Sequence, residues 1–142
     1  MTDDRTDTAF DRALETAATL LGRRLEPFLA ASEAEPANAA DFKRIATMHA
    51  FGDAWPRTDH LDTRTRALIS VTIAATLGAR EPLRGQLRIA LNNGATKEEI
   101  VEAFIQIAAY AGVARAFEGY GVAAEVFAES SAVLPPARDG SA

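Results

Sequence analysis

Residues 67–79 read ALISVTIAATLGA and contain no charged side chain. With Asp62 placed to cap its start and Gly78 to supply a left-handed stop, the segment is a helix. A helix apolar on nearly every face must be buried on nearly every face. In a chain of 142 residues it is therefore either a central helix or part of a subunit interface.

The rest of the chain follows the same period. Ala, Leu, Glu and Arg are abundant, and Val and Ile never alternate with polar residues as a half-buried strand requires. The expected fold is all-α, a compact bundle of about six helices. A first helix over residues 8–25 carries Phe10, Leu14, Ala17, Ala18 and Leu21 at spacings of three and four, and Pro27 ends or kinks it. The stretch SEAEPANAAD, residues 32–41, reads as a linker, and a second helix over residues 40–55 stops at Pro56.

After the charge-free helix, Pro82 fits the first position of a helix reaching residue 92 or 93, with Gly94 as its left-handed end. Thr96 and Glu99 form a T-x-x-E capping box for a helix to residue 110, and Gly112 separates it from a last helix over residues 113–129. Residues 1–142 are expected to form one domain, burying roughly 70% of the unfolded surface, with residues 1–7 and 130–142 as flexible tails.

Composition excludes several functions. With no cysteine there is no disulfide, thiolate nucleophile or Cys-ligated metal. Fifteen Lys plus Arg against twenty Asp plus Glu leave a net charge of −5 and no basic block, so nucleic acid is not an expected partner. The start MTDDRTD is acidic where a secretory signal is basic, and no apolar run approaches a membrane span; the expectation is a cytoplasmic protein. His49 and His60 lack a second His and a carboxylate at metal-ligand spacing, so no metal is expected. No nucleotide-binding glycine motif or nucleophile elbow occurs.

Several polar residues can carry chemistry. His49 and Asp53 are four apart and share one helix face, either as an acid and its orienting carboxylate or as an exposed pair of small value. Arg64 and Arg66 open the charge-free helix. They suit a substrate carboxylate, or an ion pair with Glu98, Glu99, Glu102 or Glu118. Gln86 lies on the line of Leu83 and Ala90, and Gln106 on that of Ala103 and Tyr110. Aimed inward, the two amides suit a polar pocket or the edge of a core. Trp55 is either a pocket wall or a helix anchor, and His60 is expected to face solvent.

Residues 51–127 also carry an ordered set of motifs. They are Phe51-Gly52-Asp53-Ala54-Trp55-Pro56-Arg57, Leu61-Asp62-Thr63-Arg64-Thr65-Arg66, the segment from Leu83 to Gly94, Thr96 to Ile100, and Tyr110 to Ala116. In order and spacing this resembles the carboxymuconolactone decarboxylase family. The resemblance implies small all-α subunits assembling as a ring, commonly a trimer or hexamer, with pockets near subunit contacts. It implies conversion of 4-carboxymuconolactone to a β-ketoadipate enol-lactone with loss of carbon dioxide and no cofactor.

Such a reaction needs an apolar wall against the leaving carboxylate, donors for charge on the ring carbonyl, and an acid to reprotonate carbon. The expected catalytic residues are Asp53 and His49. Arg66, Gln86, Gln106, Trp55 and Tyr110 are the expected contacts to a small-molecule substrate. Asp53 stands where the family usually has Glu, and Gln86 and Gln106 occupy positions where it has His. The loop from Pro56 to Leu61 is about one residue longer. Loss of the titratable His suits an isomerase, cyclase or dehydratase as an alternative, and a non-catalytic binding ring is the third reading. Peroxide reduction through a cysteine pair is excluded by composition.

Overall fold

A computed structural model of the chain describes residues 4–132. They form seven α-helices and one π-helical segment, with no strand among the described residues. Of the expected tails, residues 4–7 and 130–132 are helical, and the remainder lies outside the described residues. The described residues fall into two compact units: those up to Arg66 with Asn92–Gly94, and Ala67–Leu91 with those from Ala95 onward.

In the first unit, α1 (Asp4–Leu21) ends earlier than expected and does so without Pro27. Gly22 adopts φ 70°, and the amides of Asn92 and Asn93 donate to the Leu20 carbonyl at 3.3 and 3.4 Å. A left-handed glycine plus donors for a terminal carbonyl completes a helix end. Pro27 instead sits in the first turn of a further short helix, α2 (Glu26–Leu29), where its missing N–H costs nothing. This turn is the element that the expected six did not include. No helix crosses residues 30–38, which contain most of the expected linker.

The expected second helix is present but changes its winding. It runs as α3 (Ala39–Thr47) and continues as a π-helical segment (Met48–Ala54). Both pack on α1, and the core here is Ala13, Leu14, Ala17, Leu20 and Trp55. Thr47 is buried with them, and its hydroxyl donates to the Lys43 carbonyl at 2.7 Å.

The second unit is built from α4 (Thr63–Leu77), whose first turn lies in the first unit, with α5 (Arg80–Asn92), α6 (Lys97–Ala111) and α7 (Val113–Ala132). Asp62 caps α4 as expected: its Oδ1 accepts from the Thr65 amide at 2.6 Å. Gly78 and Gly94 take the left-handed conformations expected of them. Thr96 and Glu99 form the complete capping box. α5 starts two residues before Pro82, and α7 extends past residue 129. Near the end of α7, Lys97 Nζ donates to Ser131 Oγ at 2.7 Å and to the Phe127 carbonyl at 3.4 Å, placing a cation where terminal carbonyls need one.

Of the two alternatives for α4, a central helix or part of a subunit interface, the burial pattern removes the first. Ala67, Val71, Ala74 and Ala75 are buried, but Ile69, Ile73 and Leu77 are exposed within this chain. These three recur every four residues and so form one stripe. α4 is not a central helix; only one side of it is covered.

Candidate functional site

The π-helical segment is where the chain departs from regular helix, and it carries the first candidates. Its widened turn is seen in the Trp55 amide, which donates to the Ala50 carbonyl five residues back at 3.0 Å. Pro56 then has no amide to continue the ladder. Single turns of this kind recur at functional sites because they re-aim side chains. Here His49 and Asp53 project together, Nδ1 and Oδ2 being 4.0 Å apart, with side chains 87% and 74% exposed. That is an open, loosely coupled pair. Trp55, 7% exposed, is part of the core beneath.

Asp53 borders a cleft of about 570 Å³ between α1 and the π-helical segment. That volume falls within the roughly 300–1,000 Å³ of small-molecule sites. Met48, Phe51 and Pro56 give it an apolar wall, and Arg12, Glu15 and Thr16 add polar groups from α1. Arg12 and Thr16, one helical turn apart, were not singled out from sequence. The motifs lie outside α1, and an exposed Arg and a Thr on an amphipathic helix look like a solvated face. Only the packing of α1 on the π-helical segment makes them part of a concavity.

Arg66 borders a second, smaller pocket of about 170 Å³ with Arg57, Asp59, His60 and Leu61. Its Nη2 donates to the Arg57 carbonyl at 2.6 Å, and its Nε is buried with no acceptor. Sequence offered a substrate carboxylate or a glutamate as its partner, and the observed one is a backbone oxygen of the preceding loop. His60 is exposed, as expected, and yet lines this pocket. Nearby, the hydrogen bonds from the Thr65 amide and then its hydroxyl hold the Asp62 carboxyl below its ordinary value, with the Arg64 charge adding to them.

Gln86, Gln106 and Tyr110 belong to the second unit. Gln86 is half-buried on α5, and its Oε1 is buried without a donor. Gln106 does not point inward. The buried residues of α6 are Ile100, Phe104 and Ile107, so the line through Ala103, Gln106 and Tyr110 is rotated away from the core. Tyr110 is 86% exposed. Between α6 and α7 runs an entirely apolar groove of about 220 Å³, in which Phe104 and Tyr120 meet edge to face at 6.0 Å.

Among the described residues, no group of three or more His, Cys, Asp or Glu is placed to hold a metal ion. No helix there is long and apolar enough to cross a membrane.

The profile of the Carboxymuconolactone decarboxylase family matches residues 40–125. The chain is also 34% identical over 87 residues to a 4-carboxymuconolactone decarboxylase of Acinetobacter baylyi. That match spans 61% of this chain and 64% of the length of that relative.

Proposed function

Since the chain belongs to the carboxymuconolactone decarboxylase family, we propose that it is a carboxy-lyase that needs no cofactor, acting on a carboxylated lactone or a related keto acid. The observation that carries this reading is the position of Asp53, a carboxyl group on the edge of a ligand-sized cleft, beside the apolar Met48, Phe51 and Pro56 and across from Arg12 and Thr16 of α1.

Breaking the bond to the departing carboxylate leaves an electron pair that spreads into the ring toward its carbonyl. The apolar wall of Met48, Phe51 and Pro56 favours the change from carboxylate to neutral carbon dioxide. A cationic or neutral donor must meet the charge that develops, and Arg12 and Thr16 border the same cleft. Asp53 with His49 then returns a proton to carbon. Arg66 holds a carboxylate that stays on the substrate.

Because Gln86 cannot exchange a proton, a reaction with a single proton-transfer group, such as isomerisation, is the second reading. Incubation of purified protein with 4-carboxymuconolactone separates the two. Released carbon dioxide with a change in ultraviolet absorbance supports the lyase, and neither signal rejects it.

Assembly as a homo-oligomeric ring belongs to the same proposal. The exposed stripe of Ile69, Ile73 and Leu77 and the apolar groove between α6 and α7 are the surfaces that a second copy would cover. Sedimentation of a monomer at micromolar concentration would count against it.

A further inference from the structure

We propose that the pocket of Arg57, Asp59, His60, Leu61 and Arg66 is a subsite for one singly charged carboxylate of a small organic acid, and that the extended loop sets its specificity. The inference rests on the anion-binding role given above to Arg66 and adds the partners and the charge of the ligand.

The space is about 170 Å³, large against the roughly 10–15 Å³ that a single water needs. Arg66 is half-buried and fixed: Nη2 is tied to the Arg57 carbonyl, while Nε is buried with nothing to accept its proton. With one end anchored in this way, the guanidinium needs little further ordering to meet a carboxylate in the pocket that it borders. Arg57 brings a second guanidinium to the same lining, and guanidinium donors match the planar geometry of a carboxylate.

Charge selects the ligand. Arg57 and Arg66 contribute two positive charges and Asp59 one negative charge, which leaves one net positive charge in the lining. Among the described residues, Arg57, Asp59 and His60 form no ion pair within 4.0 Å, so that charge is not already neutralised. A monoanion balances it, whereas a phosphate dianion overshoots and meets the Asp59 carboxylate. Leu61 offers the carbon chain an apolar side.

The pocket is also well placed along the chain. Pro56 borders the cleft of Asp53, and Arg57, the next residue, borders this pocket. A substrate losing one carboxylate in the cleft can therefore be held by another that it keeps.

The test uses the full chain, isotope-labelled so that arginine Nε–H and histidine ring resonances are visible. Levulinate, a singly charged keto acid, is titrated in, with γ-valerolactone as its neutral counterpart and inorganic phosphate as the competing anion. Levulinate is expected to shift the Arg66 and His60 signals, γ-valerolactone to shift neither, and phosphate to bind more weakly. Arg57→Gln and Arg66→Gln should each weaken levulinate about tenfold, the cost of one charge-assisted hydrogen bond. Should Arg66→Gln fail to fold, Arg57→Gln, an exposed loop substitution, decides alone. Absence of levulinate shifts, undiminished affinity in the variants, or tighter binding of phosphate overturns the proposal. Turnover of 4-carboxymuconolactone is measured on the same protein. Turnover without levulinate binding overturns the subsite alone, and levulinate binding without turnover overturns the lyase reading alone.

Discussion

Replacing Gly119 with Ala tests how closely α7 approaches its neighbours. A Cβ at this buried position would lie 2.8 Å from Phe104 Cε1, 3.2 Å from Ala75 Cβ and 3.3 Å from Leu83 Cδ2. Phe104 is itself buried against the Tyr120 ring, so its ring is not a free end that swings away. Forcing a methyl into such packing costs about 1–3 kcal/mol. Against that, Ala is favoured over Gly within a helix by about 0.8–1.0 kcal/mol. The net expectation is a loss of about 1 kcal/mol. Gly121, two residues on in the same helix, has open space around its missing Cβ. Gly121→Ala should therefore gain up to about 1 kcal/mol from the same propensity term. Because both substitutions restrict the unfolded chain alike, their difference of about 2 kcal/mol isolates the packing. Urea unfolding followed by circular dichroism measures it as a separation of midpoints at a common slope. If Gly119→Ala is as stable as Gly121→Ala, the close approach of α7 to Phe104, Ala75 and Leu83 is wrong.

Three other outcomes are expected. Thr96→Ala removes the capping box of α6 and should cost about 1 kcal/mol in urea unfolding. Asp53→Asn should lower lactone turnover by about 100-fold or more while shifting stability by less than about 0.5 kcal/mol, since the side chain is largely exposed; equal turnover would remove Asp53 from the mechanism. For pH, the Asp62 carboxyl is held below its ordinary value, mainly by the hydrogen bond from the Thr65 amide. A depressed carboxylate stabilises the fold fully above its unfolded value and loses that contribution as pH falls through the folded one. The stability gap between the parent and Asp62→Asn should thus be open at neutral pH and close in acid, as urea midpoints at the two pH values will show.

Helix boundaries set by local chemistry were legible in the sequence. Asp62, Gly78, Gly94 and the Thr96–Glu99 box act within one turn of the chain, so residue type is enough to place them. The end of α1 was not legible, because Leu20 finds its donors in Asn92 and Asn93, more than seventy residues away. The switch to π-helical winding after Thr47 also escaped the apolar pattern, which distinguishes helix from strand better than one helical winding from another. For the candidate site, the spacing of His49 and Asp53 placed them on one face. Gln106 was misread because its line along α6 was taken to face inward, whereas the core line is Ile100, Phe104 and Ile107.

By itself, the sequence determined the helical class, the absence of thiol chemistry and the kinship with the carboxymuconolactone decarboxylase family, since each depends on residue identity or on spacing within a few turns. Tertiary structure alone decided that Arg12 and Thr16 border the cleft of Asp53, that Arg57 and His60 join Arg66 around a pocket, and that the Ile69–Ile73–Leu77 stripe stays uncovered within one chain. The reason is physical: a concavity or an exposed stripe belongs to two surfaces at once, and a side chain's period along its own helix is silent about which surface it will meet.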